Sequence, residues 1–144
     1  MTVLLIKPYF DISTAWAYKK FSYMHMSEKA DTGDDGFFLN YDNSFELTKK
    51  AGKVNNIEHF IRNIERAEPG DITDDVYNDL ERVVIGSFPV IAEIKERLRE
   101  QGAGFTLMSG SGSTVFGVFD SREKAEDASI SFQDFWTDVV ESLI

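Results

Sequence analysis

The sequence predicts a single α+β domain over residues 1–144, a ferredoxin-like β-α-β-β-α-β sandwich with extra helices. Three observations predict it. Apolar, β-prone runs occur at the start, at two closely spaced positions late in the chain, and at the end. Helical periodicity fills the intervals before the second run and after the third. A chain of 144 residues is long enough for one hydrophobic core and too short for two comfortable ones.

The first two predicted elements are a buried strand and a helix. Val3 to Ile6 is a β-branched and leucine run that Pro8 stops, which is typical of a buried strand. Asp11 or Ser13 can then cap a helix through Ala15 to Phe21. The apolar side of that helix is Trp16, Ala17 and Phe21. The polar, glycine-containing stretch His25 to Gly36 follows and is predicted to be a loop.

Three more helices are predicted before the second strand. Glu68-Pro69-Gly70, Gly86 and Gly102 end them, and Pro89 opens the last one. The three apolar stripes are Ile57, Phe60, Ile61 and Ile64; Val76, Leu80, Val83 and Val84; and Ile91, Ile94 and Leu98. Helices with such stripes pack against each other or against a sheet.

The last third of the chain supplies the remaining strands. Phe105 to Met108 and Val115 to Phe119 are apolar, β-prone runs, and Ser121 caps a short helix carrying Ala125 and Ala128. The final segment, DFWTDVVESLI, is ambiguous between strand and helix. Its aromatic and β-branched content favours a strand.

The amino-acid composition argues against several classes of function for this chain. The net charge of -10 makes a nucleic-acid-binding surface unfavourable, because such a surface needs a basic stripe. The absence of cysteine excludes disulfides and thiolate metal sites, and His25 and His59 have no metal-ligand spacing, so no metal site is expected. No apolar run approaches the roughly 20 residues of a membrane span. We expect a cytoplasmic protein, and the strand directly after Met1 suggests a piece of a longer one.

The stretch LMSGSGSTVFGVFD, Leu107 to Asp120, raises the question of phosphate binding. A Walker-type loop needs four residues between its glycines, a lysine and a following helix, but here no lysine follows and the next segment is a strand. Two glycines that accept positive φ, with serines between them, can still bring a backbone close to a ligand. From spacing alone, a simple hairpin turn and a ligand-facing loop both remain open.

A family resemblance bears on that choice. MSGSGSTVFGVF, preceded by EQGAGF, resembles the third conserved motif of the galactokinase, homoserine kinase, mevalonate kinase and phosphomevalonate kinase (GHMP) superfamily. KPYFDISTAWAYKKF (Lys7 to Phe21) and YNDLE (Tyr77 to Glu81) resemble the 4-diphosphocytidyl-2-C-methyl-D-erythritol kinase family within it. The resemblance covers nearly the whole chain, but only the C-terminal half of those proteins.

The resemblance implies a fold of the GHMP kinase C-terminal type. It also implies an enzyme that moves the γ-phosphoryl of ATP, with magnesium, to a hydroxyl of the cytidyl substrate in non-mevalonate isoprenoid biosynthesis. In such enzymes the main ATP loop, the catalytic aspartate and its lysine belong to an N-terminal domain. Those motifs are missing here, so the implied partner is that domain. We expect no catalytic residue in this chain, no bound cofactor and no activity from the chain alone; a homodimer remains open.

The resemblance also assigns site residues. Gly110, Ser111 and Gly112 correspond to positions near the phosphates that support the main loop. Tyr18 corresponds to the aromatic residue that stacks on the cytosine, and Thr14 to the polar residue beside it. Helix geometry agrees for Tyr18, because it follows Ala17 directly and should point away from the apolar stripe.

Three other polar residues are interpreted differently. Asn78 and Asp79 lie at the start of a helix, where amides and acids satisfy free N–H groups and the helix dipole. Lys7 is predicted to be solvated and outside the site. Two other function classes remain open for the chain: a stand-alone ferredoxin-like metabolite-binding or regulatory module, and a non-catalytic interaction domain.

Overall fold

The computed structural model describes residues 1–30 and 77–143. The strands are β1 (Thr2–Lys7), β2 (Phe105–Met108), β3 (Val115–Phe119) and β4 (Trp136–Glu141). The helices within these ranges are α1 (Thr14–Ala30), α2 (Asp79–Ser87), α3 (Val90–Glu100) and α4 (Arg122–Ser129), and a 3-10 turn, Ile130–Phe132, follows α4. The helix predicted around residues 57–64, its end at residues 68–70, and Val76 lie outside the described residues.

The four strands form one antiparallel sheet in the order β2-β3-β1-β4. In the centre, Leu4 lies opposite Gly117, and Ile6 lies opposite Val115. The ambiguous last segment is a strand, as its composition predicts. The predicted α+β class is therefore confirmed, and the strand order is compatible with the ferredoxin-like arrangement.

One face of the sheet forms the core with the helices. Alternate residues of β1 are buried, and Leu4 and Ile6 are fully inaccessible. The predicted stripe of α3, Ile91, Ile94 and Leu98, is also fully buried. A Cβ built on Gly117 would lie 3.1 Å from a methyl carbon of Leu98, so the glycine allows α3 to approach β3 closely.

Two predicted boundaries are wrong. Residues 25–30 continue α1 instead of forming a loop, because no glycine or proline interrupts them and the His25 ring packs 4.3 Å from the Phe21 ring, one turn earlier. Helix α2 runs one residue past Gly86, to Ser87. There the Phe88 N–H still reaches the carbonyl oxygen of Val84 at 2.7 Å, so the glycine is accommodated inside the helix.

None of the helices within residues 1–30 and 77–143 combines the length and the apolar character that crossing a bilayer requires.

A bidentate ion pair joins α3 to the segment before β4. The Arg97 guanidinium donates to the two carboxylate oxygens of Asp134 at 3.0 and 3.1 Å, and it lies 4.5 Å from the ring centre of Phe132. The hydrogen bonds from Arg97 lower the pKa of Asp134 below 3.8, and Asp134 in turn raises the pKa of Arg97.

Asp134→Asn should lower the free energy of unfolding at pH 7 by less than about 1 kcal/mol, because both side chains are partly solvated. A group whose folded pKa is depressed contributes stability above its unfolded pKa and loses it as the pH falls through the folded pKa. The difference between variant and parent in urea unfolding should therefore shrink as the pH falls below 3.8 and through the lowered pKa of Asp134. Glu126→Gln, which removes an exposed pair within α4, is the matched control. A difference that stays constant as the pH is lowered through the acid range contradicts the assignment.

Candidate functional site

The glycine-serine segment, residues 109–114, is the turn that joins β2 to β3, and we call it the glycine loop. Two backbone hydrogen bonds close it: Ser109 N–H donates to Thr114 O at 2.8 Å, and Gly112 N–H donates to Ser109 O at 2.9 Å. Gly110 has φ +55° and Gly112 has φ +85°. Both glycines therefore adopt the positive φ that glycine accepts and that so short a turn between two strands needs.

The two glycines are not equivalent. A Cβ on Gly112 would lie 2.9 Å from Met108 Sδ and 3.0 Å from Ile12 Cδ1, whereas a Cβ on Gly110 would meet nothing within 4 Å. Gly112 therefore faces the core side of the turn, and Gly110 faces open space.

The Thr14 side chain and the Phe10 backbone carbonyl, both from the start of the chain, hold the tip and the end of the glycine loop. The hydroxyls of Thr14 and Ser111 are hydrogen-bonded at 2.9 Å. Ser113 Oγ donates to the carbonyl oxygen of Phe10 at 2.6 Å. The first turn of α1 and the loop are therefore joined directly, although they lie about a hundred residues apart in sequence.

The start of α2 holds the other side of the loop. The Asn78 amide nitrogen donates to the carbonyl oxygens of Met108 at 2.8 Å and Gly110 at 2.6 Å. Its amide oxygen accepts from the N–H of Leu80 at 3.0 Å, so the predicted capping role is confirmed. Glu81 accepts from the N–H of Met108 at 2.7 Å and pairs with Lys95, and both charged side chains are largely buried.

The placement of α1 exposes Tyr18. Ser13 is the residue that caps the helix, because its Oγ accepts from the Trp16 N–H at 3.2 Å. The indole of Trp16 packs edge-on against Phe88, 5.5 Å between ring centres, and Ala17 is fully buried. Tyr18, the next residue, is 53% exposed, in agreement with the predicted orientation.

The other predicted cap, Asp11, pairs with Lys7 at 2.8 Å. The Lys7 ammonium lowers the pKa of Asp11, first through the hydrogen bond and then through its charge. This pair is exposed, and neither residue lines the depression described next.

The loop, α1 and α2 surround an open depression of about 760 Å³, a volume within the range of small-molecule sites. One side of it is polar and is formed by loop residues and Asn78. The other side is largely aromatic and aliphatic. The described lining residues are Thr14, Tyr18, Phe21, Tyr77, Asn78, Asp79, Leu80, Leu107, Met108, Ser109, Gly110, Ser111 and Phe116.

The polar side of the depression suits an anion. Among the described residues, no group accepts a hydrogen bond from the backbone N–H of Gly110 or Ser111. Unpaired N–H groups in a glycine turn can bind phosphate oxygens. The aromatic side offers the half-exposed ring of Tyr18, a flat surface for a planar base.

A magnesium ion fits this part of the chain less well than an anion does. Mg²⁺ prefers carboxylate oxygens and water, and Asp79 is the one carboxylate among the described residues that line the depression. In residues 1–30 and 77–143, no three histidine, cysteine, aspartate or glutamate side chains come together as metal ligands.

The structure brings together all five predicted site residues. Thr14, Tyr18, Gly110 and Ser111 line the depression, and Gly112 lies behind it as part of the same turn. Sequence reasoning missed the amide contacts of Asn78 with the loop, the contact of Glu81 with Met108, and the place of Tyr77 in the lining. All three features involve residues of the YNDLE stretch. Helix capping alone was a sufficient explanation for that stretch, so the sequence offered no reason to expect tertiary contacts there.

Comparison with known proteins gives one family match. Residues 46–137 match the family model described as GHMP kinases C terminal. Among curated proteins, the chain is 39% identical to the 4-diphosphocytidyl-2-C-methyl-D-erythritol kinase of Thermodesulfovibrio yellowstonii over 99% of its length. It is 36% identical to the kinase of that name from Pelobacter propionicus over 88% of its length.

The chain spans 43% and 34% of the lengths of these two relatives. Among solved structures, it resembles a 4-(cytidine 5'-diphospho)-2C-methyl-D-erythritol kinase with a TM-score of 0.56 and 20% identity, covering 99% of this chain and 43% of that one. It resembles homoserine kinase from Cytophaga hutchinsonii with a TM-score of 0.50 and 17% identity, covering 96% and 40%. These two likenesses concern the fold.

Proposed function

The chain belongs to the GHMP kinases C-terminal family, and on that basis we propose that it is the substrate-binding half of a 4-diphosphocytidyl-2-C-methyl-D-erythritol kinase. The whole enzyme would transfer the γ-phosphoryl of ATP to a hydroxyl of that cytidyl substrate in isoprenoid biosynthesis, in the cytoplasm. The remaining part of the enzyme is an N-terminal domain, which the relatives' greater length supports.

One observation carries the assignment of the site. The Thr14 and Ser111 hydroxyls are hydrogen-bonded at 2.9 Å, so the proposed base-binding end of α1 and the proposed phosphate-facing loop meet in one depression. A nucleotide-like substrate needs both surfaces side by side: a flat aromatic face for its base and N–H donors for its phosphates.

The proposed roles follow from these surfaces. Tyr18 stacks on the cytosine, and Thr14 contacts a polar group beside it while holding Ser111. Gly110, Ser111 and Gly112 form the turn that supports the phosphates. In the transfer itself, the substrate hydroxyl oxygen bonds to the γ-phosphorus, the bond from that phosphorus to the β-bridging oxygen breaks, and ADP leaves.

The groups that complete the reaction belong, in this proposal, to the N-terminal domain. They are the main ATP loop, the acceptor of the hydroxyl proton and its lysine. Magnesium would neutralise phosphate charge with ligands supplied largely from there, because the described lining of the depression offers one carboxylate, Asp79.

The aromatic lining next to the loop is the proposed contact region for that domain. Tyr18 and Tyr77 are about half exposed, and both line the depression beside Gly110. Covering such a surface releases water from apolar area, which favours association. A second copy of the chain is the competing occupant when the domain is missing.

The 144-residue chain alone should produce no ADP from ATP, magnesium and the cytidyl substrate. The same chain, joined to the N-terminal portion of the Thermodesulfovibrio yellowstonii kinase, should turn over at about 1 per second or faster. A coupled assay for ADP measures both proteins.

Turnover by the chain alone contradicts the proposed division of roles. An inactive but folded chimera contradicts the proposed function. Tight binding of a small metabolite by the isolated chain supports the alternative, a stand-alone metabolite-binding or regulatory module.

A further inference from the structure

Asn78 makes three hydrogen bonds that together require both the oxygen and the nitrogen of a side-chain amide. Its amide oxygen closes the N-terminus of α2, and its amide nitrogen bridges the carbonyl oxygens of Met108 and Gly110. Both amide protons are used, and the orientation of the amide is fixed, because the two carbonyls accept and the Leu80 N–H donates.

A cap by itself does not require asparagine. Asparagine, aspartate and serine are about equally good at this position, since each presents an oxygen to the first turn. Aspartate, however, would place carboxylate oxygens where the amide nitrogen now lies, 2.8 and 2.6 Å from two carbonyl oxygens. Serine would leave both carbonyls without a donor.

Glu81, in the first turn of α2, strengthens the same connection. Glu81 lies three residues after the cap, and a glutamate at this position normally accepts a hydrogen bond from the backbone N–H of the cap residue. It accepts instead from the N–H of Met108, and its charge is balanced by Lys95. The first turn of α2 therefore binds the loop region at one N–H and two carbonyl groups.

We propose that Asn78, assisted by Glu81, is a positioning residue for the glycine loop. By holding the carbonyls of Met108 and Gly110 toward α2, it fixes the backbone so that the Gly110 and Ser111 N–H groups remain available to phosphate oxygens. The role in phosphate binding rests on the proposed function. The effect of Asn78 on the conformation of the loop is independent of that function.

The decisive variant is Asn78→Asp. It retains the oxygen that caps α2 but replaces the N–H donors to the Met108 and Gly110 carbonyls with a carboxylate oxygen, which repels them. In the 144-residue chain, amide signals from residues 108–114 should shift, and hydrogen exchange at Ser109 and Gly112 should accelerate by about 10-fold or more. Ser121→Asp is the matched control, because Ser121 caps α4 by accepting from the Lys124 N–H and, within the described residues, makes no hydrogen bond to the loop. If Asn78 were only a cap, Asn78→Asp would leave the loop signals unchanged and its Tm equal or higher.

The chimera described above tests the phosphate part. Asn78→Asp should raise the KM for ATP on the order of 10-fold, the equivalent of one lost hydrogen bond, with little change in the KM for the cytidyl substrate. Unchanged loop signals overturn the inference. A displaced loop with an unchanged KM for ATP in an active chimera overturns the phosphate role. If the parent chimera is inactive, the proposed function fails, and the loop signals of the isolated chain decide the inference.

Discussion

Gly112→Ala is expected to lower the free energy of unfolding of the chain by about 2–4 kcal/mol. Two costs add: an L-residue at φ +85° is strained, and the new Cβ would lie 2.9 Å from Met108 Sδ and 3.0 Å from Ile12 Cδ1. Met108 is almost fully buried and Ile12 nearly so, so neither can move aside freely. Urea unfolding followed by circular dichroism measures the loss.

Two glycines serve as controls for that substitution. Gly110→Ala should cost less, about 1 kcal/mol, because φ +55° is a conformation other residues sometimes adopt and the added Cβ meets nothing within 4 Å. Gly86→Ala, inside α2 with open space around it, should raise stability by about 0.5–1 kcal/mol. Equal melting of the Gly112 variant and the parent would show that the turn differs from the one described.

Tyr18→Ala is expected to raise the KM for the cytidyl substrate about 5- to 150-fold in the active chimera, with little change in the KM for ATP. The basis is the stacking of a base on an exposed aromatic ring, typically about 1–3 kcal/mol. Tyr18 is 53% exposed, so removing its ring should leave the core intact and the Tm close to that of the parent. Steady-state kinetics with each substrate varied in turn measures both constants.

Two tyrosine variants sharpen the experiment. Tyr18→Phe keeps the ring and should be nearly silent, because stacking uses the ring and not the hydroxyl. Tyr23→Ala removes another exposed tyrosine of α1, one that lines a neighbouring depression and not the one beside the glycine loop. If Tyr18→Ala unfolds the chain while substrate affinity survives in the folded fraction, Tyr18 is a core residue and the proposed base-binding site is wrong.

Local sequence signals determined the strands and most of the helices in the described part of the chain. Strands β2 (Phe105–Met108) and β3 (Val115–Phe119) have the predicted bounds. The apolar stripe of α3 is buried, as its helical period predicts. Such features follow from alternation, helical period and cap chemistry, all of which act over a few residues. The same kind of signal predicted that Tyr18 is exposed, because its neighbour Ala17 belongs to the apolar side.

Other features depended on side-chain contacts that the sequence patterns did not reveal. Hydrophobic period alone did not show that α1 continues through residues 25–30, where the packing of His25 on Phe21 contributes. Nor could spacing distinguish Gly112, whose missing Cβ accommodates Met108 and Ile12, from Gly110, whose surroundings are open. These outcomes depend on which side chains the fold brings into contact.

The YNDLE stretch shows most clearly which features the local sequence determined and which depended on the tertiary structure. By itself the sequence determined that Asn78 caps a helix, since that bond spans two residues. Only the tertiary structure decided that the same amide also holds Met108 and Gly110, about thirty residues away, and that Glu81 bonds to Met108 instead of to the cap. The physical reason is that an amide group has donors left over after capping, and the partners of those donors are set by the packing of α2 against the end of β2.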